Sequence, residues 1–108
     1  MTSGDVVRGQ IWSADIGSRE PERLVIVSND SRNRHLAEVL GVRLTTSPKP
    51  DVPSIAVFAP GEIDRARTRA LADDLFLIPR DRLVRQLGIL SPTQMGRLEE
   101  ALRAALDL

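Results

Sequence analysis

Apolar positions recur at strand spacing through most of the chain and change to helical spacing only near its end. Residues 6–15 (VVRGQIWSAD) predict a first strand with Val7, Ile11 and Trp12 turned inward. Gly17, Ser18 and Pro21 mark a turn over 16–22. Leu24-Val25-Ile26-Val27 is a continuous apolar run, the pattern of a strand covered on both faces. Ser28-Asn29-Asp30-Ser31 follows as a group of turn formers whose side chains bond nearby backbone. The next predicted strand covers 38–46, where period 2 places Arg43 and Thr45 on one face. Three prolines in 47–53 exclude interior sheet and predict an exposed connection. Further strands are predicted over 55–59, 68–78 and 83–90.

The closing helix has the clearest signal. Ser91 stands where an N-cap belongs, Pro92 at the first helical position and Gln94 three residues after the cap. Met95, Leu98, Leu102, Ala105 and Leu106 then form one stripe, predicting a helix over 92–106. Several short strands and one terminal amphipathic helix predict a mainly β protein, a compact barrel with the helix laid against it.

Composition narrows the function classes. A chain of 108 residues fits one domain, here 1–108. Fifteen basic residues balance fifteen acidic ones, so any nucleic-acid surface has to come from local segregation of charge. The absence of cysteine excludes disulfides, thiolate catalysis and Cys-based zinc sites, and a lone His35 excludes a histidine cluster. No metal or other cofactor is expected. Neither a bilayer-spanning apolar run nor a signal peptide is read, so the expectation is a soluble, cytoplasmic protein with no membrane contact. Trp12, Phe58 and Phe76 are too few for a stacking platform, and Trp12 reads as a core or subunit-packing residue. His35 reads as a local turn contact.

The remaining chemistry lies in Arg, Thr, Ser and Asn at strand ends and loops. Asp30 to His35 (DSRNRH) is polar, Arg43-Leu44-Thr45-Thr46-Ser47 precedes the proline loop, and Arg65-Ala66-Arg67-Thr68-Arg69 would align three guanidinium groups if extended. Guanidinium forks bind phosphate bidentately at any working pH. Asp73 and Asp74, being adjacent, face opposite sides of a strand.

In order along the chain, Arg8-Gly9-Gln10-Ile11-Trp12-Ser13-Ala14-Asp15-Ile16, Val25-Ile26-Val27-Ser28-Asn29-Asp30, Leu44-Thr45-Thr46 and Arg82 to Ser91 (RLVRQLGILS) resemble the MazF/PemK family of toxin endoribonucleases. The resemblance implies a small SH3-like, CcdB-like β-barrel with a C-terminal α-helix. It also implies metal-independent cleavage of single-stranded RNA by its own 2′-OH, leaving a 2′,3′-cyclic phosphate, in a homodimer neutralised by a cognate antitoxin protein. In the family, an Arg at the start of the second strand and the Thr of L-T-(S/T) carry this chemistry. The Thr maps onto Thr45, with the role of orienting phosphate.

The Arg position is held by Glu22, and Arg23 takes the place of the following Pro, facing the other way by period 2. A bulge would re-aim Arg23, Arg19 in the turn reaches in instead, or the site lacks its arginine. Glu22 either repels phosphate or serves as general base. The candidate catalytic set is therefore Thr45, Arg23, Arg19 and Glu22, with RNA contacts from Arg32, Asn33, Arg34, Arg43, Thr46 and Lys49. Near Asp74, where members carry Gln or Asn, a carboxylate offers an acceptor without an amide donor. The alternative is a non-catalytic member of the fold, a decayed toxin or a gyrase-directed inhibitor that binds a protein target.

Overall fold

The computed structural model describes residues 5–108. Its elements are β1 (Gln10–Ala14), β2 (Glu22–Ile26), α1 (Asp30–His35), β3 (Glu38–Thr45), β4 (Ile55–Phe58), β5 (Thr68–Pro79), a 3₁₀ turn (Arg80–Arg82), β6 (Leu83–Ile89) and α2 (Pro92–Leu106). The strands form one antiparallel sheet in the order β4-β5-β3-β2-β1-β6. No helix among the described residues is long and apolar enough to cross a membrane.

Alternation along the central strands supplies two cores, one on each face. Val25 joins Ile11, Val42, Leu44, Phe58 and Ala70 beneath Met95, Leu98 and Ala101 of α2. Leu24 and Ile26 point the other way, toward Trp12, Ala14, Val39 and Ile78. Leu24, Val25 and Ile26 are all fully buried, as the continuous apolar run predicts. Each such side chain contributes about 1.5–3 kcal/mol of burial free energy. Gly41 of β3 leaves room for one of them, since a Cβ there would lie 3.2 Å from Leu24 Cδ1.

The first strand is shorter than its pattern suggests. Gly9 has φ +94° and turns the chain before β1, so pairing starts at Gln10 and Val6, rather than Val7, is buried. Trp12 packs in the second core and its Nε1 donates to Gln10 Oε1 at 2.9 Å.

A larger difference follows β2. The turn formers at 28–31 start a helix, because the Asn29 side chain accepts from Arg32 N and caps α1. α2 keeps its predicted bounds, with both hydrogen bonds of the capping box between Ser91 and Gln94 in place.

Candidate functional site

Thr45 ends β3 where the sheet opens to solvent. Leu44 is buried under α2, so Arg43 and Thr45 project from the opposite face. Thr45 pairs with Arg69 of β5, and Arg43 with Leu24 of β2. Directly opposed residues share a face, which brings Arg69 beside Thr45. Glu22 shares its face with Leu24 and Ile26, and the β2–β3 register carried two residues further sets it level with Thr45.

The Arg43 guanidinium joins these strands. Its Nη2 donates to Glu22 Oε1 at 3.0 Å and its Nη1 to Asp74 Oδ2 at 2.9 Å. The Glu22 carboxylate, and then that of Asp74, raise the Arg43 pKa above its ordinary value against the opposing effect of burial. Asp74 reaches this position through an irregularity in β5. Arg43 pairs with Leu71 but Val42 pairs with Leu75, so Ala72, Asp73 and Asp74 bulge out of the ladder. Bulges of this kind re-aim side chains. Asp73 is bonded instead by the Ser54 hydroxyl.

The Thr45 hydroxyl is itself oriented. Its oxygen accepts from Ser47 N at 3.0 Å, which leaves the O–H proton as a donor toward solvent. Arg69 Nη1 lies 3.4 Å from the Ser47 carbonyl, a long contact that leaves most of its donor fork open. Together these groups place one hydroxyl, two guanidinium groups and two carboxylates around one end of the sheet. That is a set suited to holding a phosphodiester and moving a proton.

The other candidates are distributed unevenly. Arg23 lies on the α2 side and pairs with Asp64 at 3.1 Å. Pairing of β1 with β2 runs from Ala14↔Glu22 to Ile11↔Val25 without a shift, so no bulge turns Arg23 toward Thr45. Arg19 is exposed in the 16–21 connection, and Thr46 and Lys49 are exposed beyond β3.

Asn33 is 1% exposed. Its Nδ2 donates to the Ser28 carbonyl at 3.0 Å, and its Oδ1 accepts from the Ser28 hydroxyl. Its amide is therefore committed to the interior rather than presented on the surface, as an RNA contact would require. Arg32 is half-buried in α1, and Arg34 is exposed. His35 Nδ1 lies 2.8 Å from the Ser31 carbonyl, a contact within the helix. The expected arginine stripe over 65–69 does not form, because β5 begins at Thr68 and only Arg69 of the three is in the sheet. Arg69 and Asp74, read from the sequence as part of an arginine stripe and as an isolated acceptor, are not read there as neighbours of Thr45 and Arg43. Cross-strand pairing, which relates residues far apart in sequence, is the signal that finds them.

A family model described as PemK-like, MazF-like toxin of type II toxin–antitoxin system matches residues 7–106. The chain is 36% identical over 102 residues to Endoribonuclease MazF1 of Mycobacterium bovis, a match covering 94% of this chain and 93% of the relative. The same figures hold for Endoribonuclease MazF4 of Mycobacterium tuberculosis. A mycobacterial endoribonuclease solved with its cognate antitoxin superimposes with TM-score 0.84 at 33% identity, over 95% of this chain and 96% of that one. A MazE–MazF structure from Deinococcus radiodurans shares the fold, with TM-score 0.78 at 16% identity over 98% of this chain and 99% of that one. By sequence across nearly its whole length and by fold, this chain belongs to the PemK-like, MazF-like toxins of type II toxin–antitoxin systems.

Proposed function

We propose that the chain is an endoribonuclease that cuts single-stranded RNA on the face carrying Thr45. The convergence of the Thr45 hydroxyl with its cross-strand neighbour Arg69 supports this reading. A phosphodiester seated there takes a hydrogen bond from Thr45 and charge-assisted bonds from Arg69. The RNA's own 2′-OH gives its proton to Glu22 as its oxygen attacks the adjacent phosphorus, and the 5′-oxygen leaves with a proton taken from solvent water. A 2′,3′-cyclic phosphate and a 5′-hydroxyl result, and no metal ion or other cofactor is called for.

Glu22, held by Arg43, is the proton acceptor, and Arg43 offsets the charge its carboxylate brings to the site. A positioned acid or base contributes roughly 10²–10⁴-fold, and a preorganised donor aimed at developing charge about 10²–10³-fold. Arg19, Thr46 and Lys49 border this end of the sheet and contact the flanking backbone, whereas Arg32 and Arg34 sit on α1 at the opposite end of β2 and β3 and do not join this track.

The protein works in the cytoplasm, as a homodimer restrained by a cognate antitoxin. Edge strand β6 supports the dimer, since Val84, Leu87 and Ile89 are exposed along it. The mycobacterial relative solved with its antitoxin supports the second partner.

A second reading, a toxin that binds a protein target without cutting RNA, draws on Glu22 at the position of the family's arginine. Incubation with unstructured RNA in EDTA separates the two. Cleavage is expected, with Thr45→Ala and Arg69→Ala each slowing it about 10²-fold while the fold persists. Intact RNA after prolonged incubation with antitoxin-free protein would overturn the nuclease and favour the second reading.

A further inference from the structure

We infer that the groove beside Arg43 is a nucleobase pocket that selects, at one position next to the cut, a base bearing an exocyclic amino group. This deepens the ribonuclease reading and rests on it for the identity of the polymer. The groove measures about 490 Å³ and runs from Arg43 and Asp74 past Phe76 and Ile16 to Pro79 and Arg82. Its size falls within the range of small-molecule sites, and it starts on the same sheet face as Thr45.

Charge decides what the groove holds. Arg43 and Arg82 are its cations, and Asp15 and Asp74 its anions. Arg43 is bonded to Asp74, and Arg82 lies 3.9 Å from Asp15. Two positive charges balanced by two negative ones give no net attraction for phosphate inside. The interior therefore suits an uncharged heterocycle whose own phosphates remain outside, toward Thr45 and Arg69.

Two features of the lining fit a base. Of the three aromatic residues, Trp12 and Phe58 are buried in the cores, while Phe76 is half-buried and lines the groove. Phe76 packs against the second core on one side, which steadies the ring as a stacking partner. Asp74 then reads the edge. Arg43 Nη1 fixes its Oδ2, and among the described residues its Oδ1 accepts no hydrogen bond.

An ionised carboxylate only accepts. The amino groups of cytosine, adenine and guanine meet that requirement, and an acidic side chain accepting from cytosine N4 is an established pairing. Uracil carries O4 where cytosine carries its amino group, and its single edge donor, N3–H, lies between two carbonyl oxygens, so a carboxylate placed to accept from an exocyclic amino group meets a carbonyl oxygen instead. The bulge at Ala72–Asp74 places this carboxylate beside the site, against Arg43.

The test uses purified full-length protein free of antitoxin, with two readouts. In the first, a randomised single-stranded RNA pool is digested and the new 5′ ends are sequenced. Uridine is expected to be depleted about tenfold at one position flanking the cut, and Asp74→Asn is expected to readmit it, because an amide both donates and accepts.

In the second, uncleavable 2′-O-methyl oligomers of cytidine, adenosine and uridine are titrated by fluorescence anisotropy. The first two are expected to bind about tenfold tighter than the third, and Asp74→Asn to reduce that ratio below about threefold. Phe76→Leu is expected to weaken all three together and leave their ratio intact. Cleavage with uridine accepted at every flanking position, or a preference unchanged in Asp74→Asn, overturns the pocket and leaves the nuclease standing. An Asp74-dependent preference in binding without any cleavage upholds the pocket and overturns the nuclease. Failure to bind any oligomer overturns the pocket directly.

Discussion

Replacing Asn33 by alanine distinguishes an RNA-contacting amide from one that holds the fold. In the wild type, Asn33 Nδ2 serves the Ser28 carbonyl and reaches Asp30 Oδ1 at 3.3 Å. The Ser28 hydroxyl donates to Asn33 Oδ1 and accepts from Leu40 N, so one chain of bonds ties α1 to β3. Alanine leaves the Ser28 carbonyl and the Ser28 hydroxyl proton without partners in a place that is 3% exposed for Ser28 itself. Each buried polar group stranded in this way costs about 1–3 kcal/mol, so Asn33→Ala is expected to lose roughly 2–5 kcal/mol. For a domain of this size that lowers Tm by about 10–30 °C and takes a large share of a total near 5–15 kcal/mol.

Urea denaturation followed by circular dichroism measures the loss as a shift in midpoint at constant slope. Ser28→Ala and the double variant complete a cycle, and the coupling between the two residues is expected to exceed about 0.5 kcal/mol. A variant that unfolds within about 0.5 kcal/mol of wild type yet loses RNA affinity would refute the interior role and restore Asn33 to the binding surface.

Two further outcomes follow from side chains on the α2 side. The Arg97 guanidinium, then the Ala59 N–H, lower the Glu62 pKa from 4.5 to about 2. A carboxyl lowered by folding stabilises the native state at pH values above 4.5, and that contribution disappears as pH falls toward about 2. Urea midpoints measured down this range are expected to fall less steeply in Glu62→Gln than in wild type, and parallel slopes would refute the assignment. Arg23→Ala is expected to leave RNA cleavage within about twofold and stability within about 1 kcal/mol, because Arg23 faces away from Thr45 and its ion pair with Asp64 is partly exposed. Loss of most of the cleavage rate in Arg23→Ala would mean that the arginine turns to the other face.

Local chemistry made much of this fold readable in advance. Ser91, Pro92 and Gln94 announce the start of α2 because a cap depends on neighbours only a few residues apart. The apolar run before Ser28 marks a strand buried on both sides, and period 2 alone places Arg43 with Thr45. Asn29 shows the limit of the same reasoning, since an asparagine before polar residues suits a turn or a helix cap equally well. The helix forms because Asn33 finds Ser28 inside the fold, a partnership that residue types at 28–33 do not by themselves reveal.

At the site, parity correctly turned Arg23 away, but the partner of Thr45 depended on the pairing of β3 with β5. Arg69 lies on a strand separated from Thr45 by β4 and two connections. Asp74 depends on a bulge for which no residue pattern stands out.

The bulge also makes β5 a strand in two registers, joined by Ala72, Asp73 and Asp74. Because Arg43 pairs with Leu71 and Val42 with Leu75, these three residues are a pure insertion, and on either side of them each β5 residue faces as its β3 partner does. Deleting all three would leave Leu71 beside Leu75, with the buried Ile78 and the exposed Leu77 facing as they do now. What such a deletion removes is the Asp74 carboxylate from Arg43. The proline-bearing connection after Thr45 can likewise be lengthened or recast, at little cost in closure entropy, without disturbing the sheet.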